Sequence, residues 1–195
     1  MVSQLSDKDS IPDYTDTTFN VDYTFRSADV INNNFSKIDN YITLDKGETD
    51  SVFPENGVIT SKGIIGIIDR TNRRYSRVIS ILNSQSKINA QLKKSDHFGS
   101  LIWNGKDPNL LQLTDVPKQA PVAVGDTIIT GGKSLIFPKG ILIGTIEDFK
   151  LDHSESYYTI NVRLFNDMTN IGYVYVIENK NKEEILSLEE EQNEQ

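Results

Sequence analysis

At 195 residues, with 37% hydrophobic and 25% charged residues, the chain has an ordinary globular composition and room for one large or two small domains. Its net charge is −8, but residues 178–195 hold seven Glu and two Lys, so the remainder carries only −3 and lacks the basic excess that nucleic-acid binding by counterion release needs. The absence of cysteine excludes disulfides and thiol catalysis, and no apolar run approaches the ~20 residues of a membrane-spanning helix.

Residues 1–20 mix Ser, Asp and Thr around Pro12 without periodicity. They read as a flexible leader and lack the basic start and apolar middle of a signal peptide. Asp7, Asp9, Asp13 and Asp16 have neither the loop spacing nor the closing Glu of a calcium site. Residues 23–31 are strand-like, 32–34 (Asn-Asn-Asn) a turn, 36–40 a single helical turn, and 41–44 a strand with Ile42 and Leu44 on one face. Short strands follow at 57–60, 63–69, 76–82, 88–92 and 99–103, separated by glycine and polar turns, which is the spacing of a small barrel. Alternation places Ile88, Ala90 and Leu92 inward. Trp103, beside Leu101 and Ile102, reads as a core anchor rather than an exposed binding aromatic.

Further strands are expected at 110–114, 126–130, 141–149, 158–165 and 173–177, with a rigid connector at 117–121. Ile160, Val162 and Leu164 should enter the core. The acidic tail, 178–195, reads as a frayed helix or a disordered end. One corner occurs twice. Phe53-Pro54-Glu55-Asn56-Gly57 and Phe137-Pro138-Lys139-Gly140 each follow a short glycine-ended strand and lead into an apolar one. In the second copy Gly131-Gly132 supplies positive φ, Pro138 and Gly140 punctuate the turn, and Phe137 is pinned inward. The fold class is therefore all-β, two small antiparallel β-barrels with disordered termini.

Catalytic motifs are scarce. Thr130-Gly131-Gly132-Lys133-Ser134 suggests a phosphate loop, but the first glycine of that motif would fall at Thr127, and Phe137-Pro138 stands where its helix should start. His97 and His153 lack partners at metal-ligand spacing, and no Gly-x-Ser-x-Gly setting occurs. No enzyme activity, cofactor or metal is expected. The strongest surface feature is a cluster of Arg70, Arg73, Arg74 and Arg77 around Tyr75 in a hairpin turn, with no acid within the cluster. It reads either as a solvated turn or as a contact for an acidic or phosphorylated partner.

Several motifs then run in a recognisable order. They are Tyr41-Ile42-Thr43-Leu44-Asp45-Lys46-Gly47, the Phe53-Pro54 corner through Gly57-Val58, the Gly63 and Gly66 run, Tyr75-Ser76-Arg77-Val78, Gly99-Ser100-Leu101-Ile102-Trp103, and Thr130-Gly131-Gly132 followed by Phe137-Pro138-x-Gly140-Ile141. On these the chain resembles the extracytoplasmic β-domain region of the MreC family of bacterial rod shape-determining proteins, over residues 21–177. Residues 164–177, LFNDMTNIGYVYVI, resemble the ending of Bacteroidota-type members.

The resemblance implies a non-catalytic scaffold on the periplasmic side of the inner membrane. Its implied partners are the elongation penicillin-binding transpeptidase, RodA, MreD and MreB, with self-association into a dimer or filament. The family's membrane helix and coiled coil are not found here. Read as an excised region, the chain would keep a coiled-coil stub at Ser3 to Asp9; the other reading is a truncated relative. The barrels are expected to be nested, one formed by 21–56 plus 110–177 and the other by 57–109, because the middle meander has strands enough to close alone. Barrel surfaces, open edge strands and the arginine turn would meet partners. The alternatives are a glycan-binding module using Trp103, Tyr157 and Tyr158, and a double-barrel hydrolase.

Overall fold

Runs rich in Val, Ile and Thr, interrupted every few residues by glycine or Asn/Asp turns, leave the chain little choice but short antiparallel strands. The computed structural model describes residues 22–152 and 156–193; the leader and His153 lie outside them. Twelve strands form: β1 (Tyr23–Asn33), β2 (Asp39–Leu44), β3 (Gly57–Thr60), β4 (Gly63–Thr71), β5 (Ser76–Asn83), β6 (Ile88–Leu92), β7 (Phe98–Ile102), β8 (Leu110–Pro117), β9 (Thr127–Thr130), β10 (Leu142–Leu151), β11 (Tyr157–Leu164) and β12 (Tyr173–Asn179). A helix, α1 (Lys182–Asn193), follows.

The strands close into two six-stranded barrels, ordered β1-β12-β3-β4-β5-β2 and β10-β11-β8-β7-β6-β9. The second is inserted whole between β5 and β12 of the first. This corrects the expected boundaries. The strands at 57–60, 63–71 and 76–83 do not close with β6 and β7; they belong to the outer barrel, where β12 fits between β1 and β3. The inserted barrel is built from 88–164, with β6 paired to β9 and β7 to β8. Spacing reveals hairpins, whereas closure depends on the non-local pairs β1 with β12 and β6 with β9.

The predicted helical turn at 36–40 is instead an irregular bend at 36–38 followed by the start of β2, and β1 runs through Asn33 rather than turning at Asn32. A buried side chain does the work expected of the helix. Asn40 Oδ1 accepts the Lys37 N–H at 2.9 Å, while Nδ2 donates to the carbonyls of Lys37 at 2.7 Å and Leu82 at 2.6 Å. Asn83 Nδ2 returns a bond to the Asn40 carbonyl at 3.0 Å. Both asparagines are fully buried where the chain leaves the outer barrel, so their amides replace a ladder that ends there.

The barrels also share side chains. Phe137, on the β9–β10 connection of the inserted barrel, is 1% exposed and lies against Gly57 of the outer barrel. A Cβ on Gly57 would sit 2.7 Å from the Phe137 ring, so that glycine is required by close approach. Asn166, just after β11, donates to the Ile64 carbonyl at 3.1 Å and accepts from the Thr60 hydroxyl at 2.6 Å.

Closure removes the open edges expected of small barrels, with one exception. β10 pairs with β9 only up to Thr145 but with β11 as far as Leu151. β8 likewise outruns β7, whose pairing ends at Thr114. The far ends of β10, β11 and β8 therefore project beyond the inserted barrel as a three-stranded tongue.

Candidate partner-binding surface

The arginine turn is a tight connection between β4 and β5. Asn72 Oδ1 accepts the N–H groups of Arg74 at 3.0 Å and Tyr75 at 2.9 Å, an Asx turn that needs no glycine. The turn docks through its backbone on the short 3-10 segment Glu48–Asp50. Thr49 donates both its N–H (3.1 Å) and its hydroxyl (2.8 Å) to the Arg73 carbonyl, and the Glu48 N–H reaches the Asn72 carbonyl at 3.0 Å. Because the backbone makes the contact, the side chains are left outside. Arg70, Arg73 and Arg74 are exposed, with no ion pair among the described residues, and Tyr75 stands beside them 42% exposed.

Arg77 does not join them. Its guanidinium grips Asp69 across the hairpin through both carboxylate oxygens, Nε to Oδ1 at 3.0 Å and Nη2 to Oδ2, and lies over the Tyr41 ring with 4.4 Å to the centroid. The Asp69 hydrogen bond raises the Arg77 pKa above its ordinary value. An acid just outside the cluster thus balances one of its members, and the outward surface is Arg70, Arg73, Arg74 and Tyr75.

The two corners are alike in sequence and unlike in place. Phe137 is buried, but Phe53 is 44% exposed and fully buried Val52 occupies the core beside it. In the second corner only Gly132 (φ 64°) and Gly140 (φ 103°) adopt positive φ; Gly131 does not, contrary to expectation. Thr130 closes the corner instead. Its hydroxyl donates to the Pro138 carbonyl at 2.5 Å and accepts the Ile141 N–H at 2.9 Å, while its carbonyl takes the Gly140 N–H at 3.1 Å. Sequence reading missed this role, although a threonine directly before Gly-Gly was a signal. Lys139 pairs with Asp96 at 2.8 Å, and that hydrogen bond holds the Asp96 carboxyl below the usual range. At the first corner Phe53, Pro54, Leu135, Lys182 and Leu186 line a groove of about 580 Å³, where Lys182 is ion-paired with Glu55.

The aromatics considered for glycan binding form no common platform. Trp103 is 7% exposed, with its indole N–H on the Asp107 carbonyl at 3.1 Å; Tyr157 is 46% exposed, and neighbouring Tyr158 packs edge-on against Phe149. Among the described residues no group of three or more His, Cys, Asp or Glu is placed to hold a metal ion, and no helix is long and apolar enough to cross a membrane. The His97 ring meets the Ser95 hydroxyl at 3.1 Å.

Comparison with known proteins places this architecture. A family model for the rod shape-determining protein MreC, barrel core, matches residues 30–178. The cell shape-determining protein MreC of Listeria monocytogenes is 30% identical over 159 residues, covering 80% of this chain and 54% of that protein. The chain thus spans about half the length of that curated relative. An MreC structure from Listeria monocytogenes superposes with a TM-score of 0.76 at 28% identity, over 82% of this chain and 77% of that one. The major periplasmic domain of the cell shape-determining filament MreC superposes at 0.70 with 20% identity, over 81% and 97% of the two chains. MreC of Helicobacter pylori, solved in complex with the penicillin-binding protein PBP2, superposes at 0.61 with 16% identity, over 80% and 99%. These last two share the fold. By the extent of the family match and the two closed barrels, this chain belongs to the MreC family of rod shape-determining proteins.

Proposed function

We propose that this chain is a non-catalytic scaffold of the bacterial cell-elongation machinery, working on the periplasmic side of the inner membrane by holding a penicillin-binding transpeptidase and other copies of itself. The observation that carries the reading is the match of its double barrel to the barrel core of a family of cell shape-determining proteins. The Helicobacter pylori relative bound to PBP2 supports a transpeptidase partner, and the relative described as a periplasmic filament domain supports the location and self-association. RodA, MreD and MreB enter the proposal through the family's role in rod shape. In this reading binding, rather than chemistry at the barrels, promotes wall synthesis.

The outward face of the arginine turn is the proposed partner contact. Three guanidinium groups without ion pairs among the described residues, beside an exposed tyrosine, suit an acidic protein surface. Pull-down of the purified chain against the periplasmic region of the transpeptidase, with a parallel assay on purified peptidoglycan, tests the reading. Selective capture of the protein supports it; retention by peptidoglycan alone refutes it in favour of a wall-binding module. Arg73→Glu with Arg74→Glu should weaken that capture while changing stability by no more than about 0.5 kcal/mol, as is usual for exposed turns. Equal capture by variant and wild type would remove the turn from the interface.

A further inference from the structure

We propose that two copies of this chain pair edge to edge through the projecting part of β10, antiparallel and in a register centred on Phe149. The inference deepens the self-association part of the proposed function and rests on it.

The edge itself is the first observation. The last backbone bonds on the outer side of β10 are from the Gly125 N–H to the Ile146 carbonyl at 2.8 Å and from the Ile146 N–H to the Asp126 carbonyl at 2.9 Å. From Glu147 to Leu151 that side has no backbone partner among the described residues, although β11 pairs the inner side throughout. The other outer edge of the tongue is protected. There β8 carries Asp115 at φ 64° and ends in Pro117, which has no N–H to offer. β10 has no such device beyond Glu147, where the register with β11 shifts.

The sequence of that edge names its occupant. Glu147-Asp148-Phe149-Lys150-Leu151, laid antiparallel on its own copy about Phe149, sets Asp148 opposite the partner's Lys150, and two-fold symmetry repeats the pair. Centring on Asp148 or on Lys150 would oppose like charges, and a slip of one residue would exchange the two faces. Both charged residues are exposed on one face. Asp148 is held there by a bond from Asn161 Nδ2 at 2.9 Å, and Lys150 has no ion pair among the described residues. The opposite face carries Phe149, edge-on to Tyr158 with centroids 5.4 Å apart, and Leu151, 42% exposed. Pairing brings Phe149 against its symmetry mate and places Leu151 at its flank. Strand addition of this kind supplies main-chain hydrogen bonds for affinity and alternate side chains for selectivity. Because the contact is isologous it closes as a dimer.

Sedimentation velocity over a concentration series, on the full chain, reads the pairing. Wild type should show a monomer–dimer equilibrium. Asp148→Lys alone and Lys150→Asp alone should each weaken it by about tenfold, because every reversal acts twice across the axis. The double variant, with the two charges exchanged, should regain the wild-type constant. Thermal midpoints confirm that the variants are folded. A second measurement does not depend on charge. The chain has no cysteine, so Phe149→Cys should oxidise to a disulfide-linked dimer, whereas Leu151→Cys alone should not. A strictly monomeric wild type, a charge exchange that restores nothing, or cross-linking no faster at residue 149 than at 151 would each overturn the proposal. Transpeptidase capture is read separately, so failure of this edge is distinguishable from failure of the scaffold reading.

Discussion

Replacing Phe137 by alanine should lower the stability of the protein by roughly 3 to 5 kcal/mol, the usual range for removing a buried aromatic ring. The effect should be large because the ring, 1% exposed, extends from the inserted barrel to the outer one and rests on Gly57. Its loss leaves a cavity at the joint between the barrels, where collapse would require both to move. Urea unfolding gives the number, and a midpoint equal to that of wild type would mean the ring is not packed as described. Gly57→Ala provides a second reading of the same contact. In the wild-type background the new Cβ strikes the ring at 2.7 Å, while in the Phe137→Ala background that clash is gone. The two substitutions should therefore be strongly non-additive, with alanine at 57 milder in the double variant.

Asn40→Leu should also be damaging, with a loss of about 1 to 3 kcal/mol. The side chains are similar in volume, so the effect isolates hydrogen bonding. The substitution leaves the Leu82 carbonyl without its partner at a buried site, and the Lys37 N–H and carbonyl without theirs at a part-buried one. Each stranded group costs about 1 to 3 kcal/mol where water cannot reach it. Calorimetric or urea unfolding would register the loss, and a change below about 1 kcal/mol would show that water or a shifted backbone replaces the amide. Asn83→Leu removes the reciprocal bond and should couple with Asn40→Leu.

Much of the local structure was legible because it depends on neighbours in sequence. The strand at Ile88–Leu92 was read with its inward residues, as was the alternation that buries Ile160 and Val162, because period-two patterning is a property of the strand alone. The barrel boundaries were not legible. β12 fits between β1 and β3, and nothing near residues 173–179 specifies a partner more than a hundred residues away. The duplicated corner was legible as a repeat, but the different surroundings of its two copies were not. Two Phe-Pro turns look alike, but only Phe137 meets a glycine from the other barrel, and Val52 takes the inward position at the first. Asn40 was read as the end of a helical turn, since nothing in the sequence marks a buried amide that bonds two backbone segments.

The candidate contact was only partly readable. Four arginines around a tyrosine were visible, but the division of labour among them was not. The register partner of Arg77 across the hairpin is Arg70, and Asp69 sits at the irregularity between Ile68 and Arg70, so the Arg77–Asp69 pair was not recoverable from strand spacing. The projecting edge of β10 was beyond sequence reading. It exists because β9 is four residues long and β10 ten, and an edge can be recognised only after both neighbours of a strand are known.

Insertion of one barrel inside the other also dictates an order during synthesis. Every strand from β6 to β11 leaves the ribosome before β12 does, so the inserted barrel can finish while the outer one still has a gap between its first and third strands. Until that last strand arrives, β1 and β3 are unsatisfied edges on a nascent chain. A chain terminated just after Leu164 would keep a complete β6–β11 set but never seal the outer barrel, and would be drawn toward aggregation rather than assembly.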